Sequence, residues 1–466
     1  MSKFKQTIIV SALALAIGSA VAAQPDGGPG EARPNILFIM ADDMGYADLS
    51  CYGAQGYTTP VLDRLASEGM KFNQAYANAP ICSPTRAALI TGRYQGRFAA
   101  GLNEPNISFP PGQELPANTP TVASMLKAGG YRTAFVGKWH VAKVPEFSPL
   151  HYGYDSFFGV AGGAADYFSH STSPQKRADP AAGLHEGDKP VKREGYLTDI
   201  LADEAIRQIR AGGDKPLFLS LHFNAPHWPW EGPEDAAHSR QLGRMNDLTG
   251  GSLSTYAHMM QSMDANIGRV LKALDEQGMS SNTLVVFTSD NGGERYSNTW
   301  PMVGYKGELL EGGIRVPFIA RWPGRIPAGR QSDQVLVSMD TVPTFLAAAH
   351  APAPRQTDGL NLLAQWSGRA SDVERTLFWR MRAHQQAAVR EGPWKYLKMG
   401  NAEHLFNVQN DPRERADLKA LHPQTFERLK SQWAQWNAQM LPYPERSASE
   451  RTSTIYPDRY PSSNAR

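Results

Sequence analysis

Four short stretches of the chain, residues 35–40, 133–136, 217–223 and 284–288, are apolar almost without interruption. Strands covered on both faces read this way, because neither alternating side meets water. Between these runs, apolar residues recur at helical spacing over 60–68, 121–127, 197–209 and 255–276. Buried strand alternating with amphipathic helix predicts an α/β fold, a doubly wound sheet with helices on both faces. From about Arg375 the pattern changes. Residues 376–381, 386–390 and 394–398 read as antiparallel strands, the last preceded by the turn-forming Glu391-Gly392-Pro393. A helix is predicted over about 423–439. The chain thus divides into a main domain over 34–370 and a smaller C-terminal α+β subdomain over 371–445, antiparallel sheet plus helix. A tail rich in Pro, Ser and Arg, expected to be extended, follows over 446–466.

The N-terminus reads as an address. Lys3 and Lys5 precede an apolar run over 8–17, and small residues continue to Ala23. This predicts a signal peptide over 1–23, cleaved after Ala22 or Ala23, and an exported protein, periplasmic or secreted. For an uncleaved membrane anchor the apolar run is short. No Cys lies at the cleavage site to carry a lipid. A Gly/Pro/Ala linker occupies 24–33, and no later segment is apolar enough to span a bilayer.

Composition narrows the partners. Hydrophobic residues at 41% and charged residues at 20% exclude a collagenous, disordered or polytopic chain. Lys and Arg number 47 against 45 Asp and Glu, and that excess resides in Lys3 and Lys5. The exported chain is neutral, with no net bias toward nucleic acid or acidic lipid. Two cysteines cannot build a disulfide framework.

In open α/β sheets ligands bind beyond the carboxyl ends of the strands. Asp42 and Asp43 follow the first predicted strand, Lys138 and His140 the second, His227 the third, and Asp290 and Asn291 the fourth. Three carboxylates and an amide make an all-oxygen set that selects Ca²⁺ or Mg²⁺ over zinc. Lys138, His140, His227 and Lys306 add cationic or proton-donating groups. A divalent cation among Lys, Arg and His suits a tetrahedral oxyanion, sulfate or phosphate.

The segment Cys82-Ser83-Pro84-Thr85-Arg86 carries the sharpest signal. Ser83 before Pro84 predicts an N-cap with Pro at the first helical position, and Gly92 a helix stop. Cys82 would then sit just before a helix N-terminus, where backbone N–H groups favour negative charge. Arg86 falls within the first turn. From these residues alone, Cys82 is either a reactive thiolate or half of a disulfide with Cys51.

These residues resemble the type I, formylglycine-dependent sulfatases, in an arylsulfatase-like form. Cys82-x-Pro84-x-Arg86 is similar to the family's modification signature, and residues 130–140, Gly130 through Lys138-Trp139-His140, to its second signature. Asp42-Asp43-Met44-Gly45-Tyr46, Pro226-His227, Asp290-Asn291-Gly292 and Gly304-Tyr305-Lys306 with Glu311-Gly312-Gly313 match too, so the resemblance covers roughly residues 34 to 420. It implies an alkaline-phosphatase-like fold, a mixed, mostly parallel sheet sandwiched by helices. It implies that a formylglycine-generating enzyme converts Cys82 during maturation. It implies one Ca²⁺ per chain, held by Asp42, Asp43, Asp290, Asn291 and the modified Cys82. Arg86 and Lys138 would hold the nucleophile, His140 would act on its second hydroxyl, and Lys306 and His227 would serve the sulfate and departing oxygen. Cys51 would remain a lone, buried thiol.

The resemblance implies a sulfuric ester hydrolase acting on a sulfated small molecule or glycan. The runner-up, a phosphonate monoester or phosphodiester hydrolase, shares fold and nucleophile. A secreted glycan-binding protein on an inactive scaffold is opposed by the filling of every catalytic position. A sulfated carbohydrate is preferred over a simple aryl sulfate. Arg295, Trp300, Trp228 and His151 are the candidate substrate contacts, with Trp230 and Tyr296 as further aromatic residues that could line a subsite or pack loops.

Overall fold

The computed structural model describes residues 32–105, 111–245 and 250–445. The expected signal peptide and the tail over 446–466 lie outside the described residues, as does nearly all of the 24–33 linker.

Strand Asn35–Ala41 forms the centre of a 10-stranded sheet. It pairs in parallel with Leu217–His222 on one side and Thr283–Ser289 on the other. Arg132–Lys138 and then Ser156–Val160 extend the parallel run. On the opposite side Phe318–Arg321 runs antiparallel. The expected mostly parallel sheet is therefore mixed at its edges. Short strands there, among them Met70–Phe72 and Leu184–Glu186, carry too few residues to leave an apolar run in the sequence.

The near-continuous apolar strands divide by alternation. Leu37, Ile39, Leu219, Leu221, Val285 and Phe287 face a core covered by helices Pro60–Ser67, Leu197–Arg210 and Leu253–Glu276. Ile36, Phe38, Met40, Phe218, Leu284 and Val286 face the other, beneath Cys82–Thr91, Val122–Ala128 and Thr341–Ala348. Each such side chain contributes about 1.5–3 kcal/mol on leaving water. A one-residue slip of the central strand would exchange its two faces and displace Asp42 from the sheet edge.

The C-terminal subdomain holds four antiparallel strands in sequence order, Thr376–Met381, Gln386–Glu391, Trp394–Met399 and Ala402–Asn407. The last was not predicted, because only Leu405 and Phe406 in it are buried. Helix Pro423–Asn437 packs on this sheet through Leu429 and Trp436. Trp379, Phe406 and Trp436 share a cluster with Tyr76, Leu309 and Met339 of the main domain. Lys395, fully buried, lies 3.0 Å from Glu311 Oε1 and 2.8 Å from Glu414 Oε1, joining the two parts. No helix among the described residues is long and apolar enough to cross a membrane.

Candidate active site

Parallel registry brings the strand ends level. Met40 lies opposite both His222 and Thr288, and Gly137 opposite His222. Asp42 and Asp43, Lys138, His222 and Asp290 consequently emerge at one edge. The chain turns there through left-handed conformations at Asp43 (φ 62°) and His140 (φ 49°), which non-glycine residues adopt only where the surroundings enforce them.

Charge is arranged in buried pairs. Lys138 Nζ donates to Asp42 Oδ2 at 2.5 Å, and Lys306 Nζ to Asp43 Oδ2 at 2.5 Å. Asn291 Nδ2 donates to Asp43 Oδ1 at 2.8 Å, and the Asp43 amide to Asp290 Oδ1 at 3.2 Å. Arg86 donates from Nη1 to the Lys138 carbonyl at 2.8 Å. Burial, then Asp290, pushes the Asp42 carboxyl well up, against Lys138 and Arg86. For Asp290 burial acts the same way, but Arg86 and Lys138 outweigh it and its carboxyl falls below its ordinary value.

The nucleophile helix departs from expectation at its start. It spans Cys82–Thr91 behind an extended Ile81, so Cys82 is its first residue and Ser83 is not the cap. Pro84 lies within the first turn, where no backbone N–H is required of it. Thr85 Oγ1, rather than Ser83, accepts the Ala79 amide at 3.0 Å and closes the preceding loop. Gly92 ends the helix in the left-handed conformation, as expected. Burial pushes the Cys82 thiol well up, although Lys138 and Lys306 pull the other way. Burial thus works against a reactive thiolate at this position, opposing the favourable helix end. Both cysteines are free, which removes the disulfide alternative. Cys51 is half-buried, and its thiol is pushed up to about 12 by burial and Asp63.

His227 Nδ1 faces the Trp228 carbonyl at 2.5 Å, which turns Nε2 toward Asp43 Oδ2 at 3.4 Å. Burial, Lys306 and Lys138 hold this ring well below the ordinary histidine value. The buried His140 ring packs against Gly163, where a Cβ would come within 2.5 Å of Cε1. Within the irregular 161–173 segment, only a residue without a side chain leaves room for that ring.

Two supporting residues escaped the sequence reading. His222 ends its strand, with Nδ1 3.3 Å from Arg86 Nη1 and its ring edge-on to Phe135. Its signal was a histidine inside an apolar run. Gln386 donates to the Gly307 carbonyl and accepts from the Leu309 amide, both at 2.8 Å. The C-terminal subdomain thus grips the loop that carries Lys306, a contact without local signature.

The donor set suits a hard cation. Asp42, Asp43, Cys82 and His227 offer ligand atoms within 4.8 Å of one another. The resemblance implies for His227 a contact to the sulfate and departing oxygen, not a place among the metal ligands. Asp42 Oδ1 and Asn291 Oδ1 are buried without a hydrogen-bond partner, acceptors that a Ca²⁺ would satisfy. Asp290 stands beside them with its Oδ2 engaged by Arg86.

The proposed substrate contacts separate. The Trp228 ring packs at a tilt against His227, centroids 4.3 Å apart, within the site. Trp300 is 62% exposed, with Arg413 5.2 Å over its ring, and Arg295 lies 5.9 Å over Tyr296. Trp230 is buried against Tyr296 and packs the loops. His151 is a correction: it sits on the turn Pro149–Tyr152, just before Asp155, whose amide donates to the Thr133 carbonyl at the start of strand Arg132–Lys138. Parallel strands place that turn at the sheet edge opposite the site.

Residues 34–351 match the family model described as Sulfatase, and residues 305–439 that described as N-sulphoglucosamine sulphohydrolase, C-terminal. The chain is similar to N-acetylgalactosamine-6-sulfatase of Canis lupus familiaris, 35% identical over 82% of this chain and 73% of that one. It is 33% identical to human (Homo sapiens) arylsulfatase A, over 84% and 78% of the two chains. The crystal structure of Ps i-CgsB in complex with k-i-k-neocarrahexaose superposes with a TM-score of 0.80 at 30% identity, covering 91% and 97%.

Proposed function

Because this chain belongs to the sulfatase family of sulfuric ester hydrolases, we propose that it releases sulfate from a sulfated carbohydrate through a formylglycine at position 82 and one Ca²⁺. The observation that carries this reading is Cys82 Sγ, 3.7 Å from Asp43 Oδ1 within a donor set otherwise dominated by oxygen. Sulfur is a soft ligand in that company, and a formylglycine oxygen would complete it with like atoms. The sugar preference draws on the relatives, one named for a sulfated amino sugar and one solved with a carrageenan oligosaccharide.

Converted to formylglycine and hydrated, residue 82 would offer one oxygen to attack sulfur, releasing the alcohol, and a second whose collapse to the aldehyde would expel sulfate without an attacking water. Asp42, Asp43, Asp290 and Asn291 would hold the Ca²⁺, which would supply positive charge to the bound ester. Arg86 and Lys138 orient residue 82 and neutralise charge developing there. Lys306 holds a sulfate oxygen. His227, its Nδ1 committed to Trp228, presents Nε2 to donate a proton to the departing sugar oxygen. The incoming sulfate brings the negative charge that favours a proton on that nitrogen. His140 takes the proton of the second hydroxyl.

The same reading includes a formylglycine-generating enzyme as maturation partner, and export on the strength of Lys3, Lys5 and the apolar run over 8–17. Desulfation of defined sulfated oligosaccharides, run beside 4-nitrophenyl sulfate and an aryl phosphonate, tests the function. Sulfate release from at least one sugar is expected. Faster turnover of the phosphonate would transfer the site to the runner-up chemistry.

A further inference from the structure

His227 can serve a departing oxygen only if its Nε2 holds one direction. The His227 amide donates to the Asn224 carbonyl at 2.9 Å, and the Asp42 amide donates to the Ala225 carbonyl at 3.1 Å. These bonds secure the chain before the ring. After it, Nδ1 faces the Trp228 carbonyl at 2.5 Å. The aim of the ring therefore follows the peptide planes of residues 227 and 228.

The first of those planes is held from outside the loop. Tyr167 Oη donates to the His227 carbonyl at 2.9 Å, from 60 residues earlier in the chain. Tyr167 is fully buried. Burial, then Tyr196, pushes its phenol well up, so the hydroxyl keeps its proton and donates. The ring stacks on Tyr196, with centroids 5.3 Å apart and 22° between the planes. Tyr196 Oη donates to the Glu231 carbonyl at 2.7 Å, and Glu231 Oε2 accepts the Tyr167 amide at 2.9 Å. Two stacked tyrosines thus clasp the loop at 227 and again at 231. The backbone of Tyr167 is itself anchored. Its carbonyl accepts the Leu197 amide at 2.7 Å, and the Phe168 and Ser169 amides donate to Asp166 Oδ1 at 2.9 and 2.7 Å. A packing role would need only the ring of Tyr167, whereas its hydroxyl meets the one carbonyl that adjoins the histidine.

We propose that Tyr167, backed by Tyr196, is a positioning residue that aims His227 Nε2 at the departing oxygen. When the S–O bond to the alcohol breaks, its electron pair stays on that oxygen and the Nε2 proton joins it. A loosened ring delivers that proton poorly. The inference rests on the reading of His227 as proton donor. The irregular 161–173 segment, which leaves room for His140 at Gly163, then serves both histidines.

The experiment compares the mature full chain with Tyr167→Phe, which deletes one oxygen, with His227→Ala and with the double variant. Probes are aryl sulfates graded in leaving-group basicity, namely 4-nitrophenyl, phenyl and 4-methoxyphenyl sulfate. On the 4-methoxyphenyl ester Tyr167→Phe should lose about 3- to 10-fold in kcat/KM, the worth of one hydrogen bond. On the 4-nitrophenyl ester the loss should stay under about twofold. The decline of kcat/KM with basicity should therefore steepen, and His227→Ala should steepen it further. Once His227 is Ala, adding Tyr167→Phe should change turnover by less than about twofold. An equal loss across the series, or an undiminished loss in the absence of His227, marks a packing role and overturns the inference. A wild-type slope in His227→Ala overturns the proton-donor reading and the inference with it. If Tyr167→Phe does not fold, Tyr196→Phe carries the same comparison. A smaller steepening is expected there, and an equal loss across the series overturns the inference.

Discussion

Arg86 grips Asp290 with Nε at 3.0 Å and Nη2 at 2.8 Å from the same carboxylate oxygen, both side chains buried. This pair ties the first turn of the nucleophile helix to the end of strand Thr283–Ser289. Cys82, four residues before Arg86, is aimed at Asp43 as a consequence. One helix turn converts an ion pair into the aim of a nucleophile.

Cys82 is expected to be formylglycine in active enzyme. Mass spectrometry of the peptide containing residue 82 decides the matter, and an unmodified thiol in fully active protein would sink the assignment. Cys82→Ala should abolish turnover, while circular dichroism and the unfolding midpoint stay near wild type.

One Ca²⁺ per chain is expected, and Asp43→Asn should lower its occupancy and turnover together. Ca²⁺ tolerates an irregular oxygen cage, whereas Mg²⁺ demands octahedral order. Elemental analysis finding stoichiometric zinc, or full activity after exhaustive chelation, contradicts the site.

The two histidines should separate by leaving group. His227→Ala should lose about 10²–10⁴-fold on a sulfated sugar, whose alkoxide needs a proton. On nitrophenyl sulfate the loss should be much smaller, because nitrophenolate leaves unaided. His140→Ala should release about one equivalent of alcohol rapidly and then stall, since that residue acts after the substrate bond breaks. Equal losses for His227→Ala on both substrates, with no burst in His140→Ala, would reverse these roles.

Lys395→Met should destabilise by about 3–5 kcal/mol in urea unfolding, because Glu311 and Glu414 would share a buried site without a cation. A change below about 1 kcal/mol would show that the network is not what joins the subdomains.

Stability should fall as pH rises through Glu231. Burial first, then Asp166, pushes its carboxyl up to about 8. The folded chain thus binds this proton more tightly than the unfolded chain, so the stabilisation is complete below the ordinary carboxyl range and lost as pH climbs through about 8. Measured against Glu231→Gln, the wild-type Tm should drop between about pH 4.5 and pH 8 and level off above that. A parallel pair of curves would discount the shift.

The strands, their order of chemistry and most of the site were legible because each is a local pattern. An apolar run announces a strand buried on both faces, and in a parallel sheet the residues just after such runs share one edge. Asp42, Asp43, Lys138, His140, His227, Asp290 and Asn291 could be gathered this way without coordinates. Cys82 and Arg86 came from a compact motif. Other features rest on contacts between distant segments. The helix begins at Cys82 rather than after Ser83, behind an extended Ile81 that packs with Met381 and Ala383 of the C-terminal subdomain. Desolvation, a property of the whole enclosure, overrides the helix end at the Cys82 thiol. Gln386 meets the Lys306 loop across 79 residues of chain. His151 fails for the converse reason, since nearness in sequence to a strand says nothing about which end of the sheet a turn occupies. Periodicity and motif are encoded within a few residues, but burial, charge pairing and the aim of a side chain depend on which distant segments close around it.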